Sequence, residues 1–281
     1  MPNNNSLIDE TLDFNKSEQY KLSILISKDG LSFVILDAVT KKIIAKKRHK
    51  ISAIDNIKEY CYFVAKNINT EELLKYKYKK IYVIYQSYKS IIIPSDLYSE
   101  KHNEKLFKVN IELDSVEKLQ ENFISNLNAY KLFAIPECIL SLINDRLPEA
   151  QIIHQSVPII NRALTIKSKH TFIININKDF FDFHILDQQK LILDNSFKYK
   201  TKADILYYIL YTIEQLGFNP KEVSLLVFSS LEDINETINF LNQYFANINS
   251  PELPKHYTNS YLFTKELVQQ YSAQIQVFEC E

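Results

Sequence analysis

Two Lys-Asp pairs, Lys28-Asp29 and Lys178-Asp179, sit at matching places in two similar stretches, "LSILISKDGLSFVILD" (residues 22–37) and "FIININKDFFDFHILD" (residues 172–187). Two aspartates brought together can hold a divalent cation through oxygen ligands, and lysines beside them can hold an anionic group. The candidate binding set is Ser27, Lys28, Asp29 and Gly30 from the first stretch, with Asn177, Lys178 and Asp179 from the second. The simpler use of the same residues is to close tight hairpins, where Asp is a common turn residue.

Other chemistry is thin. The six histidines, His49, His102, His154, His170, His184 and His256, form no His-x-x-x-His and join no Cys pair. No zinc site or other metal centre is expected. His184 alternates with Phe183 and Ile185 and reads as a surface or satisfied sheet histidine. No Gly-x-Ser-x-Gly elbow exists, so no nucleophilic catalyst is assigned. Cys61, Cys138 and Cys280 are odd in number and widely spaced. Free thiols in a reducing cytoplasm are the expectation. The run "KKIIAKKRHK" (residues 41–50) is basic, but it lacks interleaved aromatics and the chain's net charge is −1. It reads as a solvated edge strand protected by lysines, and no nucleic acid is expected as a partner. A salt-sensitive RNA contact is the weaker alternative.

The chain's 281 residues suffice for a large core without metal or disulfide support. No run of about 18 apolar residues is present, so no membrane span is expected. Only two glycines occur, Gly30 and Gly217. Phosphate-cradling loops draw on glycine, so any nucleotide site has very little to build with.

The elements that position the two turns repeat. In the first half, apolar runs at 23–27 and 31–37 flank Lys-Asp-Gly, a hairpin signal. A third strand at 42–46, a helix over 51–68 opened by a Ser52-x-x-Asp55 capping box, and a strand at 79–85 follow. The second half gives strands at 172–177, 181–187 and 190–194, then a helix opened by Thr201-x-x-Asp204. That helix, "ADILYYILYTIEQL", is apolar nearly all round and is expected to be buried. Gly217 and Pro220 mark its end. A strand at 222–230 and a helix over 232–245 complete the series. Six of ten residues from Lys28 match those from Lys178 at one offset. A duplicated β-β-β-α-β unit is therefore expected. Between the copies, "YKSIIIPSDLY" predicts a strand, a turn and a helix. "LFAIPECILSLINDRLPEAQIIHQSVPIINRAL" predicts strand, helix, strand, helix, an α/β pattern.

This duplicated layout resembles the actin-like ATPase fold, in which two ribonuclease-H-like lobes face across a cleft. "ILISKDGLSFVIL" and "IININKDFFDFHIL" are similar to that superfamily's phosphate-loop hairpins. The segment from Phe133 to Leu164 looks like the bridge in pilus-assembly and cell-division members. The whole chain resembles an uncharacterised Bacteroidetes family, a domain of unknown function with this fold. The resemblance implies an α/β protein of two duplicated ribonuclease-H-like lobes with mixed sheets flanked by helices. Residues 1–18 are read as a polar tail, 19–157 as the first lobe and 158–281 as the second, with a hinge near 155–170.

The departures from the superfamily pattern carry the functional expectation. The loop Asp falls on Ser27 and Asn177, and the loop Gly falls on Asp29 and Asp179. A carboxylate there repels phosphate instead of offering it backbone N–H groups. ATP hydrolysis and a cofactor are not expected. The expected function is a cytoplasmic, non-catalytic pseudo-ATPase that binds a protein partner or assembles as a homodimer or larger homo-oligomer. The alternative is a small-ligand or nucleotide-binding enzyme or sensor that uses the cleft.

Overall fold

The structure, a computed structural model, describes residues 6–51 and 56–280. The capping box proposed at Ser52 and Asp55 lies outside the described residues. The first sheet is assembled from β1 (Ser6–Ile8), β2 (Tyr20–Ser27), β3 (Gly30–Asp37), β4 (Lys42–Lys50) and β5 (Lys80–Tyr85), with helix α1 (Ile57–Thr70) between the last two. A small antiparallel sheet follows, in the order β6-β8-β7, from β6 (Ser90–Pro94), helix α2 (Asn103–Asn110), β7 (Glu117–Ile124) and β8 (Ala129–Pro136). Helix α3 (Glu137–Arg146), strand β9 (Gln151–His154) and helix α4 (Ser156–Leu164) lead to the second half. The large sheet runs β1-β4-β3-β2-β5-β9.

β2 is buried at every position and β3 at all but its last, because the sheet is covered on both faces. Leu22, Ile24 and Ile26 pack with Val64 and Ile68 of α1 and Ile139 and Ile143 of α3. Leu25, Val34 and Leu36 face the other way, onto Tyr271, Ile275 and Phe278 from the end of the chain. That end carries β15 (Thr258–Asn259), α7 (Lys265–Gln270) and α8 (Ser272–Gln276), and β15 pairs with β4. The chain therefore returns to the first sheet after leaving the second. At the other terminus, Ser6–Ile8 of the polar segment forms an edge strand on β4.

The second sheet holds β10 (His170–Ile176), β11 (Phe180–Asp187), β12 (Lys190–Lys198), β13 (Ser224–Ser229) and β14 (Asn247–Asn249), flanked by α5 (Lys202–Gln215) and α6 (Asn235–Leu241). Its order, β12-β11-β10-β13-β14, repeats the β4-β3-β2-β5-β9 order of the first. The register slips between Ile35 and Leu36 in one copy and between Ile185 and Leu186 in the other, the same place at an offset of 150. Such bulges re-aim a strand and are positioned features rather than defects. Phe172, Ile174, Phe181 and Phe183 form the outer core with Ile205, Ile209 and Ile213 of α5. Ile173 and Leu186 on the opposite face meet Ile159 and Ala163 of α4. Helix α4 touches α8, so these two helices fill the space between the lobes.

The helix signals at α5 match the observed caps. Thr201 and Asp204 form a reciprocal capping box. Gly217 adopts φ +75°. Its N–H bonds the Glu214 carbonyl at 2.9 Å and the Phe218 N–H bonds Ile213 at 3.0 Å, a Schellman end.

Four expectations are corrected. First, α5 is not buried all round: Tyr207 and Tyr211 stack on its outer face, 61% and 53% exposed. A phenol keeps its hydroxyl in water while its ring covers the helix, so an apolar-looking face need not be covered. Second, Cys61 and Cys138 are not free thiols; a disulfide joins α1 to α3 across 77 positions. Their wide spacing hid the fact that both helices lie side by side under one sheet.

Third, the basic strand β4 is not a solvated edge. It is paired by β3, β1 and β15, and its cations are engaged by the protein. Lys42 meets Asp9 at 3.0 Å, Lys47 meets Glu71 at 2.8 Å and Lys50 meets Glu232 at 2.5 Å. Lys46 lies over the Tyr271 ring, and burial pushes its pKa down. Fourth, the helix expected over 232–245 is shorter, spanning only Asn235–Leu241.

Candidate functional site

The two turns face each other. Ser27 pairs with Gly30 across the first, leaving Lys28 and Asp29 at its tip. Gly30 has φ +136°, and a Cβ there would stand 2.0 Å from the His49 carbonyl oxygen. Its absent side chain therefore serves the approach of β4 rather than an anion. In the second turn the Asn177 N–H bonds the Phe180 carbonyl at 2.9 Å, so phenylalanine occupies the matching place.

Most polar groups of both turns are committed to protein partners. Lys28 Nζ donates to Asp179 Oδ2 at 2.6 Å, from one turn to the other. Asp29 accepts short bonds from the Ser27 hydroxyl and from Arg48. Arg48 also donates to the Ser230 carbonyl of the second lobe at 2.8 Å. Gln86, just past β5, donates to Asn177 Oδ1 at 2.7 Å. Asn177 in turn donates to the Asn175 carbonyl at 3.2 Å. Lys178 is the exception. Its ammonium reaches only the Lys28 carbonyl, at 3.5 Å, and forms no ion pair among the described residues. The structure thus brings all seven proposed residues together.

A cavity of about 480 Å³ lies beside the turns. Lys28, Lys178 and Phe180 wall it from the turns, Tyr60 from α1, and Tyr85 and Tyr88 from the end of β5. Among its lining residues Lys89 holds Asp114 and Glu117, each at 2.7 Å. Burial would lower the Lys89 pKa, but the two carboxylates raise it overall.

A buried polar seam between the lobes was not read from the sequence. Asn175 lies opposite Asp182 in the sheet, Asp182 opposite Ser196, and His184 opposite Asp194. These residues form one face. The Asp182 carboxylate accepts bonds from Asn175 at 3.0 Å, Ser196 at 2.7 Å and Gln155 at 3.2 Å. Gln155 also bonds the backbone of Ser87 through both ends of its amide, at 3.0 and 2.9 Å. Lys131 of β8 reaches Asp194 at 2.6 Å, and His184 lies 3.0 Å from the same carboxylate. Burial opposes the Asp194 charge, but Lys131 and His184 hold its pKa well below the usual range. His154 is fully buried, and desolvation keeps it neutral. The available signal was polar residues recurring every second position in strands that are otherwise apolar.

Among the described residues no cluster of three or more His, Cys, Asp or Glu side chains is arranged to hold a metal. No described helix is long and apolar enough to cross a membrane.

Comparison with known proteins gives the fold and a family. The chain is similar to a protein of actin-like ATPase fold and unknown function from Bacteroides thetaiotaomicron, with TM-score 0.79 and 24% identity over 96% of this chain and 100% of that one. It is similar in fold to a structure described as the PilM-PilN type IV pilus biogenesis complex, with TM-score 0.59 and 11% identity over 94% and 99% of the two chains. No protein of curated function matches. The fold is the actin-like ATPase fold. The family described as "Protein of unknown function (DUF3822)" matches residues 9–248, and the chain belongs to it.

Proposed function

We propose that this chain is a non-catalytic actin-like protein whose lobes are tied by its own side chains, and that it acts as a scaffold for a protein partner or a second copy of itself. The observation behind this reading is the Lys28–Asp179 contact at 2.6 Å. It joins the two turns that, in the ATPases the chain resembles, lie against nucleotide phosphates.

The residues present do not fit a metal-bound nucleotide. Asp29 and Asp179 put carboxylates where phosphate oxygens would stand, and like charges at such range repel strongly. Asp179 already occupies Lys28, and Gln86 occupies the Asn177 carbonyl oxygen. No hydrolytic step is assigned. In this reading the repeated strand order reflects an internal duplication, and the lobes span 19–157 and 158–281, with the last residues packed back on the first lobe. The proposed location is the cytoplasm. The neighbour described as a PilM-PilN complex supports partner binding as a use of this fold.

Thermal unfolding with and without millimolar Mg-ATP, and again with ADP, tests the first half. A ligand at 100 times its Kd adds about 2.7 kcal/mol, a rise of several degrees in Tm. No shift is expected; a clear shift would mean that the altered turns still hold phosphate and would overturn their reading as degenerate. Sedimentation across a concentration series, with pull-down from the native cell extract, tests the second half. A strict monomer that captures nothing reproducible would remove the scaffold.

A further inference from the structure

The cavity beside the turns has the makings of a ligand site that no part of the scaffold reading uses. Tyr60 and Tyr85 are each 7% exposed, and both line this cavity. Neither phenol hydroxyl is hydrogen-bonded to another described residue. Phenol hydroxyls that line a cavity and hold no protein partner are free to bond a molecule bound there. Tyr88 and Phe180 add flat apolar wall, their ring centroids 6.1 Å apart, and Lys198 Nζ covers the Tyr88 ring at 4.0 Å.

The charges are arranged by sign. Lys28 and Asp179 cancel as a pair. Lys89 is shared by Asp114 and Glu117, and Lys198 on the Tyr88 ring also acts on Asp114. Lys178 is left as an unpaired ammonium at the turn. An anion alone would use Lys178 and leave the Asp114 and Glu117 oxygens without a ligand donor, and a cation alone would leave Lys178 unmatched.

We infer that this cavity binds a small zwitterion of the amino-acid class. Its carboxylate faces Lys178, its ammonium faces Asp114 and Glu117, and its side chain lies on Tyr88 and Phe180. The volume of about 480 Å³ suits a small organic molecule. The ligand is not a nucleotide.

The test uses three probes on the full chain by calorimetric titration: L-phenylalanine, L-phenylalaninamide, which lacks the carboxylate, and 3-phenylpropionate, which lacks the ammonium. L-phenylalanine should bind, and each truncated probe should bind at least about tenfold more weakly, the loss for one charged contact. Lys178→Ala should weaken L-phenylalanine and leave L-phenylalaninamide unchanged. Asp114→Asn should weaken both of those and spare 3-phenylpropionate. Both side chains are exposed, so a folding defect does not confuse the result. Failure of all three probes, or equal binding of the three, would overturn the site. So would variants that weaken all three probes alike. A Tm shift with Mg-ATP would instead strike at the proposed loss of the nucleotide, and a strict monomer without partners at the scaffold, so the failures are distinguishable.

Discussion

Lys28 and Asp179 meet at 2.6 Å although 151 positions separate them, and they join the tips of two matching hairpins. Their side chains remain 57% and 38% exposed, so the pair adds little stability of its own. A double-mutant cycle with Lys28→Ala and Asp179→Ala should give a coupling below about 1 kcal/mol. The Arg48–Asp29 pair just behind it is different, with side chains only 9% and 15% exposed. Arg48→Ala strands the Asp29 carboxylate and the Ser230 carbonyl together, at a cost of about 3 kcal/mol. Urea unfolding of the four variants separates these. A strong outer pair with a dispensable Arg48 would reverse the assignment.

The two glycines make opposite demands. Gly30→Ala would push a Cβ to 2.0 Å from the His49 carbonyl, against backbone that cannot rotate away. Separation of β3 from β4 at their ends follows, with a loss of about 3 kcal/mol or more. At Gly217 nothing lies within 4 Å of the new atom. Gly217→Ala then carries only the strain of positive φ, about 1 kcal/mol. Equal losses in chemical unfolding would mean that steric clash at Gly30 is relieved by backbone movement.

Much of this fold is written in local pattern. Lys-Asp turns between β-branched runs predict both hairpins, and the single offset from Lys28 to Lys178 predicts that the sheets share an order. The caps at Thr201 and Gly217 are local chemistry and were legible for the same reason. What pattern does not carry is which face meets the other lobe. Asn175, Asp182 and His184 look like polar positions in a half-exposed strand, yet all are at least 98% buried because Gln155 and Lys131 of the small sheet's β8 close over their face. The basic run at β4 misleads in the same way. Its cations answer Asp9, Asp29, Glu71 and Glu232, which come from four separate parts of the chain. Very short strands such as β1 and β15 lack enough residues to show a period at all.

Glu71 governs part of the acid response. Its carboxylate is fully buried, and burial by itself would raise the pKa. Bonds from His49, Lys47 and the Leu73 N–H outweigh that and bring it from 4.5 down to about 2. A folded-state pKa below the unfolded one stabilises the protein above pH 4.5, and that contribution is lost as pH falls from there towards 2. Glu71→Gln should lower stability near neutrality by about 2 kcal/mol and flatten the pH dependence between those limits. Urea midpoints across pH 2.5 to about 7 measure it. An unchanged acid limb would assign the acid loss to other carboxylates, Asp9 and Asp194 among them.

The Cys61–Cys138 bridge ties α1 to α3, the two helices that cover one face of the first sheet. It closes a loop of 77 positions that contains β5 and the small three-stranded sheet. In the chain-entropy account, a loop of that length restricts the unfolded state by about 4 kcal/mol. Alkylation of the protein purified without reductant, followed by mass analysis, should label Cys280 alone, and only after unfolding if its partial burial excludes the reagent. Reductant should then expose all three thiols and lower the Tm. The Cys61→Ser/Cys138→Ser variant should match the reduced wild type in Tm and ignore reductant. Both helices also pack through Val64, Ile68, Ile139 and Ile143, so the reduced chain should still fold. If the isolated protein carries three free thiols and reductant leaves its Tm unchanged, the helices are held by packing alone.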